Sequence, residues 1–155
     1  MRIITLNANG IRSAARKGFF AWLEAQDADV VCVQETKAQA DQLADPVFRP
    51  QGYHCYYRDA EKKGYSGVAL YSRVEPQAVV TGFGSGECDA VFPCLEAQFK
   101  GLSVVSVYLP SGSSSEERQQ AKFRFLEQFM PHLRALKRRR RGYVLCGDWN
   151  IAHKE

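Results

Sequence analysis

The strongest constraint on this chain is a pattern that occurs four times: a short apolar run that stops at a polar side chain. Tyr143-Val144-Leu145-Cys146 leads through Gly147 to Asp148 and Asn150. Arg2-Ile3-Ile4-Thr5-Leu6 ends at Asn7, with Asn9 two residues on. Val30-Val31-Cys32-Val33 ends at Gln34 and Glu35, and Val104-Val105-Ser106-Val107 delivers Tyr108. Runs of this length bounded by turn residues read as buried strands. In sheets flanked by other layers, groups just past strand ends are where ligands bind. If the four strands are neighbours with aligned ends, Asn7, Glu35, Tyr108, Asp148 and Asn150 converge on one pocket. One polar residue after one strand is an ordinary terminator; five after four strands point to function.

The segments between these runs give the chain its organisation. Ser13 is placed to cap a helix carrying Phe19, Phe20, Trp22 and Leu23 on one apolar face, which reads as core packing. Asp27-Ala28-Asp29 breaks it before the next strand, and a strand–helix–strand crossover of this length predicts a parallel pair. A short helix is expected over Ala38 to Ala44, ended by Pro46 and Pro50. Strands are expected at Tyr53 to Tyr57, Gly67 to Ser72, Pro76 to Thr81, Cys94 to Lys100 and Leu102 to Tyr108, with Gly101 as a hairpin signal and Gly64 turning the charged loop before Gly67. Ser114 and Glu117 fit a capping box. The helix that follows shows an apolar stripe from Phe125 to Leu136, with Pro131 expected to kink or split it.

Composition narrows the function classes. At 155 residues, 45% hydrophobic and 25% charged, the chain matches one ordinary globular domain. Its net charge of +4 owes much to one run, Lys137 to Arg141. That run reads as a solvated helix C-terminus opposing the helix dipole. It enters the strand that ends at Asp148, so ~20 Å of strand at ~3.3 Å per residue separates it from the pocket. Five cysteines without regular spacing argue against a disulfide framework, and no CxxC pair suggests zinc. No apolar run nears the ~20 residues that span a membrane, and no signal region opens the chain, so a reducing, cytoplasmic setting is expected.

Glu35, Asp148, Asn7 and Asn150 offer oxygen donors, which suit a hard cation such as Mg2+ held by one or two carboxylates plus substrate phosphate. No histidine pair favours zinc or iron. A cation at Glu35 would polarise a phosphate oxygen while Asp148 accepts a proton from water. Amides and a tyrosine hydroxyl would steady the developing charge.

These residues also carry a resemblance. Leu6-Asn7-Ala8-Asn9-Gly10-Ile11-Arg12, Val33-Gln34-Glu35-Thr36-Lys37, Gly64-Tyr65-Ser66-Gly67-Val68-Ala69, Val107-Tyr108-Leu109-Pro110 and Gly147-Asp148-Trp149-Asn150 resemble, in order and spacing, the motifs of the exonuclease III family of apurinic/apyrimidinic endonucleases, within the endonuclease/exonuclease/phosphatase superfamily. The resemblance implies an α/β fold, the N-terminal half of a four-layer α/β sandwich with a mixed β-sheet and helices on its outer face. It implies Mg2+-dependent phosphodiester hydrolysis, Mn2+ substituting, on double-stranded DNA with abasic sites or 3′ ends. Glu35 would be the principal metal ligand, with Asn7 beside it. Asp148 would orient or deprotonate the attacking water, Asn150 and Tyr108 would hold the scissile phosphate, and Arg12, Gly64 and Tyr65 would meet DNA.

Two departures qualify the match. Ala90-Val91-Phe92-Pro93 stands where the family carries a Gly-Arg pair. The family fold also runs further, to an Asp-His pair, and neither His132 nor His153 sits where that histidine belongs. Residues 1–155 therefore read as a partial domain truncated before its C-terminal half, incomplete in its site and poorly active. With one sheet built and its inner face open, the fragment is expected to self-associate. A superfamily phosphatase acting on phosphoinositides or other phosphate esters, and a non-catalytic DNA-binding remnant, stand as alternatives.

Overall fold

The computed structural model describes residues 1–59, 65–84, 86, 89, 92–109, 111 and 115–151. Two four-stranded sheets face each other. The first is built from β1 (Ile3–Asn7), β2 (Val30–Gln34), β3 (His54–Arg58) and β4 (Val68–Ser72), in the order β1-β2-β4-β3. The second is built from β5 (Ala78–Thr81), β6 (Cys94–Phe99), β7 (Leu102–Val107) and β8 (Gly142–Cys146), in that order. Helices α1 (Ile11–Arg16) and α2 (Phe19–Glu24) cover the first sheet, and α3 (Glu116–Lys137) covers the second.

Strand periodicity explains why all four layers hold. Successive side chains point to opposite faces, and β2 is buried on both. Val31 and Val33 pack with Phe19, Phe20 and Leu23 under the helices, whereas Val30 and Cys32 enter the gap between the sheets. There they meet Leu95, Ala97 and Phe99 of β6 and Val104 of β7. Val105 and Val107 face the other way, against Phe125 and Phe129 of α3. Strands β2 and β7 thus each serve two apolar layers, and the near-continuous Val-Val-Cys-Val run is the sequence consequence.

This arrangement corrects several expectations. The four signal strands are not neighbours in one sheet: β1 and β2 pair in parallel in the first, β7 and β8 in parallel in the second. The inner face is therefore not open to water, and the reason given for self-association falls with it. What stays unpaired among the described strands is the outer edges, including β1 and β8. The strands expected after residue 67 divide between the sheets: β4 pairs antiparallel with β2 and β3, while β5 starts the second sheet.

The helices differ in detail. The first helical segment starts at Ile11 after Gly10, so Ser13 lies inside it and makes no cap. A left-handed Gly18 then separates α1 from α2. Trp22 is exposed, unlike its neighbours Phe19, Phe20 and Leu23. The expected helix at 38–44 is a single 3₁₀ turn, Ala40–Leu43, and a second turn, Pro46–Phe48, follows where Pro46 was expected to end it. Helix α3 is capped by Ser115, whose hydroxyl accepts from the Arg118 N–H; Ser114 lies outside the described residues. It runs unbroken through Pro131. Both Pro131 and Glu127, whose carbonyl loses its partner, face solvent, where water replaces the missing bond. Of the basic run, Arg141 is half-buried and donates to the carbonyls of Phe99 and Leu102 and to Ser103 Oγ. It ties down the β6–β7 hairpin at the end of the sheet away from Asp148. No described helix is long and apolar enough to cross a membrane.

Candidate active site

Parity along the strands brings the site together. Counting back in twos from Asn7, Gln34, Tyr108 and Asp148 gives Thr5 and Ile3, Cys32 and Val30, Ser106 and Val104, Cys146 and Val144. Many of these residues occupy the inter-sheet layer, so the strands deliver their polar ends toward the gap between the two sheets. Beneath the site lies a short polar strut in an otherwise apolar layer. Thr5 Oγ1 donates to Gln34 Oε1 at 3.1 Å, and Gln34 Nε2 donates to Ser106 Oγ at 3.1 Å. Gln34 is 1% exposed, so both ends of its amide need these partners.

Glu35 falls on the wrong parity for the gap, and there the backbone changes. Its φ is 53°, in the left-handed region rarely used by such a residue. Asn9, Lys37, Ser66 and Asn150 are left-handed too, and the only other described non-glycine residue with positive φ is Asp27. Strain of this kind persists where neighbours over-determine it and concentrates at functional sites. Here the neighbours are adjoining loops zipped by backbone hydrogen bonds. Gly10 N–H donates to Glu35 O at 2.8 Å and Ile11 N–H to Thr36 O at 2.9 Å. Thr36 N–H donates to Gly67 O at 3.1 Å and Lys37 N–H to Ser66 O at 2.8 Å. Gly67 is required by this closeness: a Cβ there would stand 2.2 Å from Thr36 Oγ1.

The two carboxylates come from different sheets and meet across Asn7. Its Nδ2 donates to Glu35 Oε1 at 2.9 Å and to Asp148 Oδ2 at 3.3 Å, while its Oδ1 accepts from the Asn9 N–H at 3.0 Å. In this orientation the amide nitrogen, not the oxygen, faces the carboxylates. Lys37 Nζ lies 2.8 Å from Glu35 Oε2 and also reaches Asn9 Oδ1. Burial raises the Glu35 carboxyl, but the hydrogen bonds from Lys37 and Asn7 and the Lys37 charge outweigh it and hold the group below its ordinary value. Burial pushes the Tyr108 hydroxyl up, and the charges of Glu35 and Asp148 push it further. Glu35 is thus anionic and Tyr108 a protonated donor at neutral pH.

A cleft of about 310 Å³ opens in front of Glu35, walled by Lys37, Tyr65, Ser66, Tyr108, Ser111 and Arg118. Asn150 flanks it: its Nδ2 donates to Asp148 O at 3.3 Å, and its own carbonyl accepts from Lys122 Nζ. Tyr65 is 40% exposed and takes the Arg118 guanidinium over its ring, 5.5 Å from the centroid. Arg12 is exposed on α1, next to the residue whose N–H binds Thr36 O. Gly64 lies outside the described residues. Arg118 and Lys122, four apart on α3, were not signalled by the sequence reading, which drew attention to the basic run at the helix's other end. Their spacing on one helical face after the Tyr108 loop was the available clue.

Glu35 in the cleft and Asp148 beyond Asn7 offer carboxylate oxygens of the kind a hard cation takes while keeping several waters. Among the described residues no group of three or more His, Cys, Asp or Glu is placed to hold a metal ion.

Comparison with known proteins agrees with this geometry. Residues 4–155 match the model of the endonuclease/exonuclease/phosphatase family, a family of enzymes that generally use divalent metal ions. Over 156 residues the chain is 36% identical to an exodeoxyribonuclease of Bacillus subtilis, covering 100% of this chain and 60% of the relative. It superposes on the 3′-5′ exonuclease NExo of Neisseria meningitidis with a TM-score of 0.83 at 29% identity, covering 98% of this chain and 59% of that one. With an AP endonuclease from Archaeoglobus fulgidus the TM-score is 0.81 at 32% identity, covering 97% and 58%. The chain thus spans about 60% of the length of such relatives. Its fold, the loops that form its cleft and the family match together make it a member of the endonuclease/exonuclease/phosphatase family.

Proposed function

We propose that this chain carries the metal-binding and phosphate-binding part of a DNA repair nuclease. It would hydrolyse phosphodiester bonds as an exodeoxyribonuclease and abasic-site endonuclease on double-stranded DNA. The observation that carries this reading is the meeting of Glu35 and Asp148, one from each sheet, across Asn7 at a cleft containing Tyr108.

Glu35 would hold Mg2+, or Mn2+ in its place, and Asn7 would join it through Oδ1 once its amide turns from the orientation in which Nδ2 faces the carboxylates. The bound ion supplies Lewis-acid polarisation of a phosphate oxygen. Asp148, exposed at the mouth of the site, orients the attacking water and accepts its proton. Tyr108, kept protonated by burial and by its two anionic neighbours, donates a hydrogen bond to the scissile phosphate as charge builds on its oxygens. Asn150 donates beside it through its amide. Lys37 offsets the charge of Glu35. Arg12, Gly64 and Tyr65 contact the DNA around the reacting phosphate.

The three histidines of the chain are His54, His132 and His153. His54 begins β3 at the far end of its sheet, and His132 stacks on Phe83 and Phe129 in the α3 layer. Hydrolysis by residues 1–155 is therefore expected to be slow, since no described histidine lines the cleft with Glu35. The test is titration calorimetry with Mn2+ on wild type and Glu35→Ala, alongside Mg2+-dependent nicking of an abasic duplex with inositol phosphates as a parallel substrate. Mn2+ binding that disappears in Glu35→Ala, with turnover restricted to DNA, is the expected result. Equal Mn2+ affinity in both proteins would remove Glu35 from the metal site, and turnover of inositol phosphates alone would move the reading to the phosphatases.

A further inference from the structure

A polar bond passes from one sheet to the other through the apolar layer, one residue short of Glu35. Gln34 of β2 is 1% exposed and Ser106 of β7 0%. Gln34 Nε2 donates to Ser106 Oγ at 3.1 Å, and Ser106 Oγ donates onward to the Val33 carbonyl at 3.4 Å. The residues joined in this way are those that lead into the site. Gln34 precedes Glu35 and stands opposite Asn7 in the β1–β2 ladder. Ser106 lies two residues before Tyr108 and stands opposite Cys146, which lies two before Asp148.

Stability does not account for this bond. Its surroundings are apolar, among them Cys32, Leu70, Leu95 and Val104, and a methionine at position 34 would fill similar space. A neutral hydrogen bond formed on folding largely replaces one to water, so its net contribution is modest. What it adds is direction. Apolar contact is non-directional and presses the sheets together without setting their offset finely. A hydrogen bond confined to about 2.7–3.2 Å does set it. Glu35 and Asp148, one after a strand of each sheet, depend on that offset to meet over Asn7. For groups that act together at one phosphate, a displacement of about 1 Å can cost ~100-fold in rate.

Building on the nuclease reading, we propose that Gln34 is a positioning residue: its amide, bonded to Ser106 across the gap, sets the offset of the two sheets and so the spacing of Glu35 and Asp148. It touches neither metal nor substrate and acts through the strands that carry the residues that do.

The experiment compares wild type with the double variant Gln34→Met/Ser106→Ala and with Val104→Ala. The double variant removes the bond and leaves behind the exposed Thr5 hydroxyl, which water can serve. Val104→Ala opens a cavity in the same layer, where Val104 is 0% exposed. Thermal unfolding reports stability. The NMR shifts of the Asn7 side-chain amide, which bridges the two carboxylates, report the site in metal-free protein. Mn2+ calorimetry, duplex anisotropy and single-turnover nicking of an abasic duplex complete the set. The double variant is expected to unfold close to wild type, since both partners of the bond are replaced by apolar groups. Its Asn7 amide signal should nevertheless move, its Mn2+ affinity fall about 10-fold and its nicking slow ~10- to 100-fold, with duplex affinity unchanged. Val104→Ala should lose Tm and keep the Asn7 signal and Mn2+ affinity. An unmoved Asn7 signal in the double variant overturns the proposal, as does a signal that moves no more than in Val104→Ala, because the bond would then be structural only. A wild-type chain that binds no Mn2+ and cuts nothing overturns the nuclease reading instead, and the Asn7 signal, which needs neither metal nor turnover, still decides the role of Gln34.

Discussion

Adding one carbon atom at Gly147 tests how the site is held. Gly147 is the residue between the end of β8 and Asp148, and a Cβ on it would stand 2.7 Å from the Val107 carbonyl oxygen and 3.1 Å from Val107 Cγ1. The first distance is about 0.7 Å short of ordinary contact. Val107 is ladder-paired with Cys94, so its oxygen cannot swing aside without disturbing β6. Overpacking of this kind costs ~1–3 kcal/mol. Gly147 does not use a left-handed φ, so alanine also gains ~0.4–1 kcal/mol by restricting the unfolded chain. The steric term wins, and Gly147→Ala should lose ~1–2 kcal/mol, a fall of roughly 2–8 °C in Tm for a chain of this size. Gly86, where a Cβ meets nothing within 4 Å, provides the control: Gly86→Ala should be neutral or slightly stabilising. Urea and thermal unfolding measure both variants. Mn2+ titration then reports whether displacing Asp148 breaks its 3.3 Å contact with Asn7. A Gly147→Ala protein as stable as wild type, with unchanged Mn2+ affinity, would show that the close approach of β7 to this turn constrains nothing.

Three further outcomes are expected. Asp148→Asn keeps the shape of the site but removes the proton acceptor, so any Mg2+-dependent nicking should fall ~100- to ~10,000-fold while duplex affinity by anisotropy stays; weak binding with intact single-turnover cleavage would reverse that assignment. The lowered Glu35 carboxyl contributes stability that is present above its unfolded value, near ~4.3, and is lost as pH falls through the lower folded value. Acid unfolding followed by circular dichroism should therefore begin at higher pH in Lys37→Met, where that depression is relieved, and coincident curves would argue against the Lys37–Glu35 pair. Self-association, if it runs through the strand edges, should be concentration-dependent and should diminish in Val144→Lys, which places a charge on the exposed edge strand β8. Light scattering after size exclusion decides this, and equal masses for both proteins would exclude the β8 edge.

Much of this was legible in the chain because strand parity is a local property. The apolar runs gave β1, β2, β7 and β8 within a residue or so, and each polar end fell where the strand stopped. Partition between sheets was not legible. Val30 and Val31 look alike in sequence, and which one faces a helix depends on packing against residues far along the chain. That is why one uncovered sheet was expected where two sheets face each other. Ser13 and Trp22 misled for a related reason: the first helix is set by Gly10 and interrupted by Gly18, and neither break follows from the apolar spacing. Arg118 was hidden because its partner Tyr65 is 53 residues away. No period or motif joins two such positions, and only the closed sandwich does.

That closure has a consequence for when the chain can become chemically competent. Glu35 follows a strand of the first sheet and Asp148 a strand of the second, with the strut of Thr5, Gln34 and Ser106 running between the layers below them. A chain emerging from synthesis with only its first sheet formed has one carboxylate and no second to meet it. The pair exists only once β8, the last strand of the chain described, has been laid beside β7 and the sheets have docked. A partly folded intermediate thus carries the two carboxylates apart. A divalent ion that binds only the docked state would in turn stabilise it by mass action, acting as a latch on the final step of assembly.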